Sequence, residues 1–275
     1  SGLIAVAAST ADGDEIQAPD ISKPAATEEN VIALSAKLAA HELGHLLGVR
    51  HYDAFGPVGF GIHAPPGSDR FKPNFVGVTA AFETSDHILS SPASVGTTRF
   101  NDLRQLYFGE REAIKLALAF SDPTQVRLNE SNTEHATLAT AQPLSLVTLN
   151  VPNSASDSVN EGMTFHVQAI TVSGTIDLET IGANSGKSQS DWYSFAGNRG
   201  DVVTIEVMSR ALRRYYTDNA TSIDSVLRLY SSAGQLVQTF GTDAVNDDEF
   251  ESSDSLLMDV TLPADGTYYI EVDTF

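Results

Sequence analysis

The sequence predicts an α+β first part, residues 1–125, followed by an all-β antiparallel sandwich, residues 126–275. Three observations lead there. Asn30 to Ala40 is rich in Ala, Leu, Val and Ile, the composition of a helix, and two further helical stretches follow near residues 98–120. From about Leu128 the apolar spacing changes to period two, in short runs separated by turn residues. At 275 residues the chain is long enough for two cores.

The elements follow in order. Leu3 to Ser9 reads as a strand, and Ala11 to Asn30 is polar and broken by Pro19 and Pro24. The helix comes next. Residues 53–86 carry Gly56, Pro57, Gly59, Gly61, Pro65, Pro66 and Gly67, which is loop chemistry. Phe71, Phe75 and Phe82 in that loop read as core before pocket wall. Thr98–Leu106 and Gly109–Phe120 read as helices. Leu103, Leu106 and Tyr107 share one face, and so do Ile114, Leu116, Ala117 and Phe120. Ser121-Asp122-Pro123 stops the second of these helices.

In the second part Val203, Ile205 and Val207 alternate with Thr204 and Glu206. Leu256, Met258, Val260 and Leu262 alternate with Leu257, Asp259 and Thr261, and Tyr268, Ile270 and Val272 with Tyr269 and Glu271. Asn198 to Asp201, Ser232 to Gly234 and Pro263 to Gly266 supply turns, so an antiparallel sandwich is expected. Arg199-Gly200-Asp201 spells an adhesion tripeptide but reads as an ordinary tight turn. Asp243 to Asp254 reads as a solvated acidic loop.

The net charge is −20, with 9 basic and 15 acidic residues up to 125 and 7 and 21 beyond it. Such a surface repels nucleic acid and anionic membranes. There is no cysteine, hence no disulfide. No apolar run approaches the ~20 residues of a membrane span, and the start lacks the basic region of a signal peptide. These features suit a soluble, secreted monomer.

The chemistry is concentrated in His41-Glu42-Leu43-Gly44-His45-Leu46-Leu47-Gly48-Val49-Arg50-His51, an HExxHxxGxxH run. His41 and His45 are four apart, so on a helix they face the same way and can share one zinc ion. Glu42 lies beside them, able to take a proton from an activated water. Gly48 can end the helix in a left-handed conformation, and His51 returns to the metal from beyond it. Three imidazoles leave a fourth position open, the mark of a catalytic rather than a structural zinc site. Five fixed residues at ~5% usage each should arise by chance in roughly one chain in ten thousand of this length, so scattered histidines on a helix explain the run poorly.

HELGHLLGVRH resembles the zinc-binding consensus of the metzincin metallopeptidases. The resemblance implies zinc on His41, His45 and His51, Glu42 as general base, and hydrolysis of internal peptide bonds in a protein or peptide substrate. It also implies a Met-containing turn beneath the metal. Asp86 to Pro92 looks like that turn, with Leu89 in place of the methionine; Met163, Met208 and Met258 lie elsewhere. A leucine fills a similar volume, so the exchange is expected to be mild. No tyrosine lies just after the turn, so the fifth-ligand tyrosine of some metzincins is not expected. His63 and His87 could line a substrate pocket but read first as surface or supporting histidines, and Asp53 reads as a structural residue that can hydrogen-bond near the third ligand. By the same resemblance, most of the sheet and a backing helix precede the motif, whereas about forty residues precede His41 here. Gly2 to Ser9 looks like the edge strand of the substrate cleft, so a fragment of a longer protein is expected ahead of the alternative, a naturally minimal domain.

The second part resembles the bacterial pre-peptidase C-terminal domain. Glu130-Ser131-Asn132, Ala139 to Leu144, Val172 to Ile176, Ser190 to Phe195, Ile223 to Tyr230 and Leu262 to Ile270 carry the likeness, across nearly all of 128–275. Some members bind calcium, and the resemblance places Glu130, Asn132 and Asp191 at calcium-ligand positions. Calcium takes six to eight oxygens, of which these supply three residues' worth; Thr133 and Ser190 stand where acidic partners are expected. The expectation is therefore a secreted bacterial zinc endopeptidase with an accessory sandwich. Two rivals stay open at this point: a zinc-binding but inactive pseudopeptidase, and a surface- or substrate-binding protein acting through the sandwich.

Overall fold

The computed structural model describes residues 27–62, 82–83, 87–90, 107–131, 133–153, 160–176, 189–209, 223–248 and 254–274. The strand expected at Leu3–Ser9, the helix expected at Thr98–Leu106, and Phe71, Phe75, His63 and Asn132 lie outside the described residues.

Helix α1 spans Glu28–Leu46. Thr27 caps it, its hydroxyl accepting from the Asn30 amide at 3.3 Å. Glu28 and Glu29 then place negative charge at the positive end of the helix dipole. At the other end Gly48 takes φ +88, and two bonds close the helix: Gly48 N–H to His45 O at 3.1 Å and Val49 N–H to Gly44 O at 3.0 Å. That paired closure is a Schellman motif, which needs a residue free to adopt left-handed backbone. It reverses the chain into a 3-10 turn, His51–Ala54. Strand β1, Phe55–Gly56, follows and pairs antiparallel with β2, Phe82–Glu83.

Helix α2 covers Glu110–Ala119 within the predicted stretch, and α3, Pro123–Val126, starts where Asp122 accepts from Thr124 N at 2.9 Å. The expected apolar face of α2 is only partly right. Leu116 packs against Val49, Ala54 and Leu89, but Phe120 is 74% exposed. The deeply buried residues of α2 are Glu110, Arg111 and Glu112 in its first turn. Polar groups win there because each one is hydrogen-bonded to the backbone or side chains of other segments.

The strands that follow are β3 Arg127–Asn129, β4 Gln142–Pro143, β5 Val147–Pro152, β6 Thr164–Ala169, β7 Thr171–Ser173 and β8 Asp191–Gly197. After them come β9 Val202–Glu206, β10 Ser225–Tyr230, β11 Gln238–Thr239, β12 Thr242–Asp243, β13 Val245–Asn246, β14 Leu256–Thr261 and β15 Gly266–Thr274. Five of them form one sheet in the order β13-β10-β15-β8-β4. The β9–β14 pair lies across from it. Tyr193, Phe195, Leu227, Leu229 and Ile270 from the sheet share a core with Leu257, Val260 and Leu262, and Val203 and Ile205 pack against it. The predicted alternation on β9 and β15 thus faces this core. Arg199-Gly200-Asp201 is the turn expected, with Gly200 at φ +90 and Asp201 Oδ2 accepting from Asn198 N at 2.8 Å.

On β14 the predicted single apolar face is corrected. Leu256 and Met258 do not share a face with Val260 and Leu262. The register against β9 shifts between Leu257 and Val260, and Asp259 sits at φ +55. An extra residue in one strand reverses the inside-outside alternation beyond it. Leu257, Val260 and Leu262 therefore enter the sandwich core, while Leu256 and Met258 turn to the other side and pack with Tyr52, Phe55 and Ile62. Residues 256–260 are buried throughout, because both faces of the strand are covered.

Leu229 is fully buried at the centre of the sandwich. Leu229→Ala is expected to cost about 2–5 kcal/mol, from lost transfer energy and the cavity left behind. Chemical denaturation measures it; a change below about 1 kcal/mol would mean the core is not packed as described.

Candidate metal centre

Helix spacing brings His41 and His45 together, and the reversal at Gly48 brings His51 to them. The Nε2 atoms are 3.1 Å apart for His41–His51, 3.2 Å for His45–His41 and 3.2 Å for His45–His51. Ligands about 2.0–2.1 Å from one ion, at adjacent corners of a tetrahedron, stand about 3.3 Å apart. The observed triangle fits that spacing. Two of the rings are locked from behind: His41 Nδ1–H donates to Ile88 O at 2.7 Å, and His45 Nδ1–H to Val49 O at 2.8 Å. With the proton on Nδ1, the Nε2 lone pair is turned toward the shared point. His41 is buried and the other two are half-buried. Glu42, next to His41 on α1, is exposed.

The segment 87–90 supports this arrangement. Its Ile88 carbonyl holds His41, and Leu89 is fully buried against Gly44. A Cβ at Gly44 would stand 2.8 Å from Leu89 Cδ2, so the absent side chain is what lets the turn lie against the helix. Leu89 thus packs on the helix that carries His41 and His45. His87 has the supporting role, not the surface one: it is buried, and its Nδ1–H donates to Ala54 O at 2.6 Å. Asp53 is also the support expected. Its Oδ2 accepts from Arg50 N at 2.7 Å and receives Lys115 Nζ at 2.8 Å.

Sequence reasoning missed Glu112. Its Oε1 accepts from Leu89 N at 2.8 Å and its Oε2 from Gly109 N, so one carboxyl ties the turn to the start of α2. Its position three residues after the N-cap Gly109, where a side chain reaches back to the helix entry, was the available signal. Burial pushes the Glu112 carboxyl from an ordinary value near 4.5 up to about 7, with the His87 charge and the two amides pulling the other way.

Residues 189–274 match the family model of the bacterial pre-peptidase C-terminal domain. A comparison with curated proteins found no match. The match to the pre-peptidase C-terminal domain begins just before β8 and runs through β15. The sheet itself continues upstream: β4 pairs parallel with β8, and Leu144, Leu146 and Val172 pack on the same core.

Of the residues placed at calcium positions, Glu130 and Asp191 do come together, joined by His135, which sequence reasoning did not single out. His135 Nε2 is 2.9 Å from Glu130 Oε1 and 3.7 Å from Asp191 Oδ1. Its Nδ1–H donates to Thr133 O at 2.9 Å. Glu130 also receives Thr175 N–H at 2.7 Å and the Tyr193 hydroxyl at 3.3 Å. Burial, reinforced by the Glu130 carboxylate, holds the Tyr193 hydroxyl well above its usual range. Among the described residues, no helix is long and apolar enough to cross a membrane.

Glu112 makes a signed prediction. Its folded-state value lies above the unfolded one, so the folded protein holds the proton more tightly. Between about pH 4.5 and 7 stability should fall as pH rises, by up to about 3 kcal/mol from this group, then level off. Denaturation of chelator-treated protein across that range, beside Glu112→Gln, measures it. The variant should lose this part of the slope; identical slopes would refute the assignment.

Proposed function

We propose that the chain is a secreted zinc-dependent endopeptidase of metzincin type, with His41, His45 and His51 as zinc ligands and Glu42 as general base. The observation that carries this reading is the convergence of three Nε2 atoms within 3.2 Å, with two of them held as lone-pair donors by carbonyls behind the rings. The two lone pairs held toward the shared point repel one another, and a cation there relieves that repulsion. Imidazole nitrogen suits zinc, and three protein ligands leave a position for reaction.

Zinc, when bound, would acidify a water molecule and polarise a substrate carbonyl. The rest falls to the chain. Glu42 accepts the water's proton and passes it to the leaving amine. The carbonyls of Ile88 and Val49 hold the imidazoles in one tautomer and orientation. Leu89 and Glu112 fix the turn that carries the first of these carbonyls. The pre-peptidase C-terminal domain and the acidic surface accord with work outside the cell, in salt- or calcium-containing surroundings. The substrate is a protein or peptide that can approach the open side of the histidine cluster.

For calcium, the geometry of Glu130 and Asp191 argues for a different use. His135 stands between the two carboxylates, and an imidazole is a poor ligand for a hard, oxygen-seeking cation. The histidine–carboxylate cluster links Glu130, just past β3, to Asp191 at the start of β8.

The inactive and binding-only alternatives are separated from catalysis by one comparison. Glu42→Gln should retain zinc while peptidase turnover on an unfolded protein substrate falls by at least about a hundredfold. Turnover within about twofold of wild type would contradict the role of Glu42. Equal capture of substrate by wild type and His45→Ala, with no cleavage by either, would favour the binding protein.

A further inference from the structure

The segment that follows the third histidine is held by the second part of the chain. Tyr52, next to His51, donates its hydroxyl to Glu206 on β9. Lys115 bridges Asp53 Oδ2 at 2.8 Å and Glu206 Oε2 at 2.7 Å, and lies over the Tyr52 ring. Further along, Gly59 N and Gly61 N both donate to Asp259 Oδ2, at 2.9 and 2.8 Å. Arg111 completes the arrangement. Two of its nitrogens meet the Asp259 carboxylate, its Nε donates to Phe55 O at 2.8 Å, and its Nη2 to Pro57 O at 3.4 Å. Asp259 is fully buried and stands at the β-bulge of β14, in left-handed backbone, with its N–H donated to Thr204 Oγ1 at 3.2 Å.

A bulge commonly serves to re-aim a side chain. Here it turns a carboxylate out of the sandwich and into the loop beyond His51. Tyr52, Phe55 and Ile62 seal the contact against Leu256 and Met258. His41 and His45 need none of this, since they ride on α1. His51 stands outside the helix, at the start of a short 3-10 turn, and its position depends on what holds residues 51–61.

We propose that Asp259 and Glu206 are positioning residues for the metal centre: the sandwich fixes the third ligand and thereby sets zinc affinity. This rests on the reading of the three histidines as zinc ligands. The sandwich is then a working part of the metal site and not an appendage that can be removed without consequence. Residues that orient metal ligands from outside typically contribute ten- to a hundredfold in affinity, and the effect here should pass through His51.

The test is zinc affinity, measured by competition with a chromophoric chelator on the full chain. The proteins are wild type, Asp259→Asn and Glu206→Gln, each also in a His51→Ala background, with folding checked by circular dichroism. Asp259→Asn should weaken zinc binding about tenfold or more, and Glu206→Gln by a smaller but measurable factor. Neither should weaken it further once His51 is gone. Unchanged affinity in both variants would overturn the proposal, as would equal weakening with and without His51, which marks a general loss of structure. If Asp259→Asn fails to fold, Glu206→Gln decides alone. A wild-type chain that takes up no zinc would sink the zinc reading itself, and this proposal with it; loss of the coupling alone leaves that reading intact.

Discussion

Three imidazole nitrogens aimed at one point are not a stable arrangement by themselves. The three Nε2 atoms stand 3.1–3.2 Å apart, and the Nδ1 protons of His41 and His45 are committed to carbonyls, which turns those two Nε2 lone pairs toward each other. A cation at the shared point would turn that repulsion into attraction, and metal binding would then contribute to the stability of the fold. Much of the first part is arranged to maintain the convergence. Helix α1 presents two rings one turn apart, the Schellman closure at Gly48 reverses the chain, and the 87–90 turn supports the helix from beneath.

The price of the convergence is paid in buried polar groups. Glu112, Arg111, Asp53 and Asp259 are all buried, and each is tied to backbone amides or carbonyls or to an opposite charge. Such groups are costly when unpartnered and specific when satisfied. Arg111, Asp53 and Asp259 lie between residues 51–61 and β9–β14, where an apolar interface alone would leave the position of that segment loosely defined. The small apolar cluster of Tyr52, Phe55, Ile62, Leu256 and Met258 excludes water from these contacts.

How much of this was legible varied with the range of the interaction. The histidine spacing, the left-handed Gly48, the support from Asp53 and the buried Leu89 could be read locally, because each follows from positions within one turn of helix or from a short motif. The period-two runs gave β9 and β15 their inward faces correctly. On β14 the same rule failed, because a bulge leaves no mark in an alternating apolar pattern; Leu256 to Leu262 reads as one face whether or not an extra residue interrupts it. The first turn of α2 was hidden for a related reason. Glu110, Arg111 and Glu112 look like a solvated charge run, and only the partners brought by distant segments make them buried. His135 was passed over beside Glu130 because nothing in sequence shows that it lies between two carboxylates.

The central claim is that His41, His45 and His51 form one zinc site in the folded chain. Elemental analysis of purified protein, wild type beside His45→Ala, tests it most directly. The account predicts one zinc per wild-type chain, removable by chelator and restored on adding zinc, and none retained by the variant. Wild-type protein that is folded, exposed to zinc and still metal-free, or a His45→Ala chain that binds zinc as wild type does, would contradict it.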